Sequence, residues 1–441
     1  MTATGFTEAA PSTVALDDGD YPKGVRAILA VTVLCLVCSV LTMDVSLVSL
    51  LIESVKHDLQ LTDEQLGILQ GPASSLPYAI CAIPAGLLVD RFNRVRLVFA
   101  AVALWSAAIL SMAFSTSFLV FLVAKVVIGI VMAILLTGPF SLLADVVPQS
   151  RRALASSILV IGQSIGYALG FLVGGVVFDA LTRHPDELPS WVGDLSPWRI
   201  SYIIFVLPCI LVLPLLGWMR EPSRKERKEQ RLELAASVRE LYAYRRLLLP
   251  LFIAYAFQVI TDSTMRVWLS PALIRLYHLT PGEFGGWIGG TILVAGMVGS
   301  GMGGWLAERA RQRSNRLTAA VVAAVIVAAS SCLALMPSVP LLFVLFAIGT
   351  VAVGVITTLT TVAGIVYVPN ELRGFASGIV ILVAVGPGLA IGPTLVPAVT
   401  DALGGPLEIG KAMALVGVPS GLLAAFFFAF LRTDSRERAG S

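Results

Sequence analysis

Apolar runs separated by short polar breaks recur along all 441 residues of the chain. A run needs about 20 residues to cross a bilayer as a helix. Twelve runs reach that length: 26–52, 65–89, 96–116, 118–144, 153–179, 199–219, 247–272, 284–307, 317–336, 340–366, 374–399 and 409–431. The longest polar break, EPSRKERKEQRLELAASVRELYAYRR (221–246), divides six runs from six. The pattern predicts an all-α membrane protein of twelve transmembrane helices in two six-helix bundles. They are bounded as a tail (1–25), a first bundle (26–219), a linker (220–246), a second bundle (247–431) and a tail (432–441).

Composition agrees with this pattern. Hydrophobic residues make up 57% of the chain and charged residues 13%, where a soluble domain carries about 25%. Lys and Arg crowd into the breaks on one side, which predicts both termini in the cytoplasm and a plasma (inner) membrane protein. The polar first 25 residues, with Asp17, Asp18 and Asp20, do not read as a cleavable signal peptide. The linker reads as a solvated surface helix of mixed charge, and the loop TRHPDELPSWVGDLSPW (182–198) as an ordinary external connection. Cys35, Cys38, Cys81, Cys209 and Cys332 all lie in apolar runs, so no disulfides are expected. His57, His184 and His278 fall in external loops, and no metal, cofactor or catalytic-triad spacing is present. An enzyme is not expected, nor is a nucleic-acid partner.

The two halves repeat. GLLVDRFNRVR (86–96) follows the second run and GWLAERARQRS (304–314) the eighth, pairing Gly86 with Gly304, Asp90 with Glu308 and Arg91 with Arg309. VPQSRRALAS (147–156) and VPNELRGFAS (368–377) pair Arg152 with Arg373. Internal duplication of this kind marks secondary transporters, with the binding site between the repeats near the bilayer midplane. At the offset of the first motif pair, Asp44 corresponds to Asp262. These two acidic residues lie well inside apolar runs.

At GxLxDRxxRxR the sequence resembles the major facilitator superfamily, over residues 26 to 431. Within it the chain looks most like the spinster-type group, through DLQLTDEQLG before span two, LLVDRFNR after it, SPWRISYIIF, REPSR and WLSPALIRLYHLT. The resemblance implies two pseudo-symmetric bundles, with spans one, four, seven and ten around a central cavity. Where related sequences carry Asp-Arg in span one, this chain has Asp44-Val45. Where they carry an Arg and a Glu in span four, it has Lys125 and Met132. The positive charge is kept and the acid is lost.

Buried charge in a membrane is costly and points to function. Asp262 and Arg266 are spaced i,i+4 and can pair on one helix face. Asp44 and Lys125 are expected to pair across spans one and four. By helix rise, Asp44, Lys125 and Asp262 lie roughly 10–15 Å below the external surface. Two readings stand: the pairs fix helix packing, or they bind substrate and protons. In the second, protonation of Asp44 releases Lys125 to attract an anion, with Arg266 as a further positive contact. The remaining polar lining is Gln70 and Tyr78 in span two, Gln163 and Tyr167 in span five, Tyr255, Gln258 and Trp268 in span seven, and Thr358 in span ten.

Asp90 sits at a helix C-terminus, where the helix dipole disfavours it. The resembling fold places the start of span eleven beside it. Asp90, Arg91, Arg94 and Arg96, with Glu308 and Arg309 in the second half, are expected to hold an inner gate. In span five Gly162, Gly166, Gly170 and Gly174 form a small-residue stripe for close helix contact. Phe171 stands where the related antiporter signature has proline, which disfavours drug efflux. Gly386-Pro387-Gly388 and Gly392-Pro393 predict bending in span eleven.

The function expected is secondary active transport by alternating access, coupled to protons, of an anionic or amphipathic small molecule such as a lysolipid. The alternative is a proton symporter of organic anions such as carboxylates or sugar acids. A channel is less favoured, and a monomer is expected.

Overall fold

The computed structural model describes residues 24–184, 195–224, 242, 244–309, 313–367 and 373–439. Most of the 221–246 linker and the middle of the 182–198 loop lie outside these residues. Each of the twelve predicted spans is a helix, and no strand occurs among the described residues. They are α1 (Val25–Leu59), α2 (Asp63–Arg91), α3 (Arg94–Ala113), α4 (Phe118–Val146), α5 (Leu154–Arg183), α6 (Pro197–Trp218), α7 (Arg245–Tyr277), α8 (Pro281–Arg309), α9 (Arg316–Leu335), α10 (Val339–Ala363), α11 (Gly378–Leu403) and α12 (Pro406–Leu431). With twelve crossings both chain ends lie at one face, here the terminal face; the other is the far face.

At the far face α1 and α7 outrun their apolar segments. α1 continues through Glu53, Lys56, His57 and Asp58 before Gln60 ends it in the left-handed conformation. α7 continues through Arg275 to a left-handed cap at His278. His57 is therefore helical, not in a loop. Hydropathy stops where hydrocarbon stops, whereas a helix stops where its backbone does. The start of α2 is fixed by a capping box between Thr62 and Gln65. Asn93 caps α3 by accepting from the Arg96 amide at 2.8 Å.

Helices α1–α6 pack as one bundle and α7–α12 as another, and the bundles meet along α5–α8 and α2–α11. The glycine stripe of α5 lies on α1. A Cβ at Gly166 would run into the Ser39 carbonyl and the Thr42 hydroxyl, and one at Gly170 into Ser46. Such closeness lets the Thr42 hydroxyl donate to the Gln163 carbonyl at 2.7 Å. The second bundle repeats the device. Gly388 and Gly392 of α11 face Val259 and Ser263 of α7, and the Ser263 hydroxyl donates to the Gly388 carbonyl at 3.1 Å. At the seams, Gly285 and Gly289 of α8 press on the α5 backbone at Phe171 and Ala168, and Gly67 and Gly71 of α2 press on α11 at Pro393 and Ala390.

α11 departs from regular helix where its sequence says it must. Pro387 cannot donate to the carbonyl four residues back, and its ring would strike that carbonyl. The chain answers with one wider π turn, Ile381–Val385, in which the Gly386 amide reaches the Ile381 carbonyl.

A Gly166→Ala variant should lose about 1–3 kcal/mol through overpacking of the α1–α5 contact. Gly290→Ala, where a Cβ meets open space, should keep or raise stability, since alanine favours helix. Thermal unfolding of the two purified variants in one detergent checks the contrast; equal midpoints would remove the α1–α5 contact from the account.

Candidate functional site

Between the bundles, α7 carries one ion pair. Arg266 Nε donates to Asp262 Oδ1 at 2.7 Å, and their side chains keep 29% and 22% exposure. Exposure at mid-span, beside residues of the opposite bundle, is exposure to the space between the bundles. Tyr167 of α5 lies within electrostatic reach of both charges. Tyr255, two turns before Asp262 on the same face of α7, lies beside Thr357 of α10 and near Asp262. Tyr78 of α2 lies near Tyr255. Tyr167 and Tyr255 thus flank the ion pair, with Tyr78 of α2 and Thr357 of α10 beside Tyr255.

Asp44 and Lys125 lie elsewhere. Asp44 is 3% exposed and Lys125 7%. The carboxylate is surrounded by Trp105 of α3, Lys125 of α4, and Tyr202 and Cys209 of α6, all of the first bundle. The two charges attract across α1 and α4, as expected. They make no direct ion pair, and Asp44 Oδ1 has no hydrogen-bond partner. The repeat correspondence with Asp262 does not extend to environment. One carboxylate is inside a bundle and the other is at the seam, because the first-motif offset is not in register with the faces of α1 and α7. The offset of the second motif pair sets Asp44 opposite Met265, which is likewise buried inside its own bundle, against α10.

The remaining predicted lining divides. Gln70 accepts from the Ser49 hydroxyl at 3.3 Å, and Gln163 lies beside Cys38; both serve contacts with α1. Gln258 is 1% exposed, and neither of its amide atoms is bonded. Trp268 is not a cavity residue. It is buried, and its indole donates to the Pro393 carbonyl at 3.1 Å, a carbonyl deprived of its helical donor by Pro397. Thr358 is also displaced from the site: its hydroxyl bonds the Gly354 carbonyl at 2.9 Å, and it packs under Gly303 of α8. Its neighbour Thr357 takes the position facing Tyr255.

At the terminal face, the motif arginine Arg94 is buried and ties its own bundle together. It reaches Asp145 at 2.5 Å, Glu221 at 2.8 Å and the Ser141 and Pro222 carbonyls at 3.2 Å. Asp90, Arg91, Arg96, Glu308 and Arg309 are exposed. Arg91 stands over Phe92 and Arg309 over Trp305. Arg152 donates to the Val147 carbonyl at 3.4 Å. The Arg373 side chain lies outside the described residues. A Cβ at Gly86 or Gly304 would meet nothing. Among the described residues no ion pair joins the bundles at this face.

At the far face one does, and hydropathy gave no sign of it. Arg275 at the end of α7 forks onto Glu53 of α1, with two contacts at 2.9 Å, and onto Asp63 of α2, at 2.8 and 2.6 Å. Lys56 adds a contact to Asp63 at 2.6 Å. Beside it, Asp179 of α5 accepts from the Thr280 hydroxyl at 2.9 Å and the Gly282 amide at 3.2 Å, holding the start of α8. The available signal was the i,i+3 pair Glu53 and Lys56 just past an apolar run, with a lone arginine past another.

The sequence matches the family model of the Major Facilitator Superfamily over residues 32–393. The chain belongs to that superfamily. It is 24% identical over 413 residues to the gallate transporter of Pseudomonas putida, covering 86% of each chain. It is 24% identical to the cis,cis-muconate transport protein of Acinetobacter baylyi, over 41% of this chain and 40% of that protein. It is 26% identical to Protein spinster of Drosophila melanogaster, over 47% of this chain and 33% of that one. The matches to the last two thus span well under half of their length. In structure the chain resembles a bacterial homologue of the human lysosomal transporter Spinster, crystallised inward-facing and unoccupied, with a TM-score of 0.78 and 21% identity over 94% of this chain and 98% of that one. Among the described residues, then, the ion pairs that join the two bundles lie at the far face.

Replacing Arg275 with Ala strands the largely buried Glu53 carboxylate and leaves Asp63 with Lys56 alone, at a cost of roughly 3–5 kcal/mol. The variant should unfold at lower temperature, and a cysteine placed at Gln60 should react faster with a membrane-impermeant maleimide. Unchanged labelling at position 60 would mean that the network does not close the far face.

Proposed function

We propose that this protein is a secondary active transporter of a small organic anion, working by alternating access and coupled to protons. The observation that carries the reading is the Asp262–Arg266 pair, part-exposed between the bundles and flanked by Tyr167 and Tyr255. An arginine presents a planar fork that matches a carboxylate in two hydrogen bonds. Held by Asp262 through Nε, it keeps its terminal nitrogens for a substrate. The tyrosines supply hydroxyl donors and flat apolar faces, which suit a conjugated or aromatic acid. Relatives named for gallate and muconate support this choice.

Asp44 is the coupling site in this reading. A carboxylate removed from water, with one oxygen unbonded and an ammonium near but not touching, is a group whose charge a proton can discharge. With the terminal face in the cytoplasm, the Arg275 network is the outer gate and the helix ends bearing Asp90 and Glu308 flank the inner opening. The second reading is a lysolipid or related amphipathic phosphate, supported by the fold shared with the Spinster homologue.

Uptake into proteoliposomes tests these assignments. Labelled gallate, cis,cis-muconate and lysophosphatidylethanolamine are offered under an imposed pH gradient. The organic acids should be taken up, and Arg266→Gln should lower their uptake about 10–100-fold, as loss of a charged hydrogen bond does. Lysolipid uptake alone would replace the organic-acid reading with the second, and full uptake by Arg266→Gln would refute the site. Asp44→Asn should abolish accumulation against a gradient while leaving counterflow; accumulation that persists in this variant would remove the proton role.

A further inference from the structure

Away from the space between the bundles lies a lateral groove of about 640 Å³ between α8, α9 and α10. Its walls are Met302 and Leu306 of α8, Val322 and Ile326 of α9, and Ile348 and Val351 of α10, with small residues such as Ala319 and Ala323 forming the floor. The groove opens to the side, towards hydrocarbon, and along α9 it runs from Thr318 to Ile326, about 12 Å of helix. An amphiphile lying in the bilayer reaches it directly, and a water-soluble ligand does not.

Arginines stand at the helix ends next to it. Met302, Leu306 and Arg309 lie on one stripe of α8, so the groove runs into Arg309, whose guanidinium stands over the Trp305 ring at 4.6 Å. On the other wall Arg316 begins α9, just before Thr318. The connecting sequence ERARQRSNR (308–316) carries four arginines against one glutamate. An apolar slot ending in arginine at headgroup level is the pattern that holds acidic lipid, and a tryptophan at that level suits the interface.

We propose that this groove binds one anionic glycerophospholipid of the bilayer, an acyl chain in the slot and the phosphate at Arg309 and Arg316. The lipid bridges three helices of the second bundle and none of the first. It stabilises that bundle and steadies the end of α8 that bears Glu308 without locking the bundles together. The chemistry requires negative charge as well as a chain, so phosphatidylcholine is a poor substitute.

The test uses the full chain in detergent, with phosphatidylglycerol or phosphatidylcholine of the same acyl composition added stepwise. Phosphatidylglycerol should raise the unfolding midpoint several degrees more than phosphatidylcholine. The double variant Arg309→Gln, Arg316→Gln should remove the difference, and Ala319→Phe should weaken stabilisation by both lipids. Independently of those variants, chain-brominated phosphatidylglycerol should quench the emission lost in Trp305→Phe more strongly than brominated phosphatidylcholine does. Equal stabilisation and equal quenching by the two lipids would overturn the proposal. So would a midpoint that follows protein concentration and dimer mass without lipid preference, which would assign the groove to a second copy of the chain.

Discussion

Apolar contact gains little for a helix already surrounded by hydrocarbon, because a lipid tail is as apolar as a leucine. Association must come from backbones that approach more closely than lipid can, and from polar groups that find one another. The major interfaces here follow from that constraint. The α5 glycines against α1, the α11 glycines against α7, and Gly299 and Gly303 of α8 against α10 all bring backbone to backbone. Once helices are that close, Thr42 and Ser263 reach carbonyls on neighbouring helices. Trp268 does the same for a carbonyl that proline left without a donor.

Charge obeys a related rule. The dense networks sit at the two faces, where water lowers the cost of each charge. Arg94 with Asp145 and Glu221 binds one bundle at the terminal face, and Arg275 with Glu53 and Asp63 joins both bundles at the far face. Two pairs remain at depth. Asp262 and Arg266 are in contact and partly open. Asp44 and Lys125 are buried, apart and inside one bundle. The difference separates a pair partly open to the space between the bundles from one enclosed within a single bundle.

The twelve helices, the duplication and the α5 stripe were legible in the sequence, because hydropathy, motif spacing and glycine period are local properties. Asp262 and Arg266 were legible as a pair for the same reason, being one turn apart on one helix. What failed depended on helix rotation. Thr358 and Thr357 differ by one position and therefore by about 100° of azimuth, and the packing of α8 against α10 decided which faced inward. Trp268 read as a site aromatic because nothing local reveals that Pro397 orphans a carbonyl on another helix. The offset linking Asp44 to Asp262 misses, by less than one turn, the position of the second bundle that shares Asp44's buried setting, Met265. Arg275 was missed because the apolar run ends before the helix does.

The far-face network also has an electrical consequence. Arg275 and Lys56 oppose Glu53 and Asp63, two positive charges against two negative. Moving one elementary charge through 100 mV takes about 2.3 kcal/mol, but a set of charges summing to zero that parts in one plane moves no net charge through the field. The Asp262–Arg266 pair is likewise neutral and travels as a unit with α7. The membrane potential therefore does no work on the empty molecule through these groups.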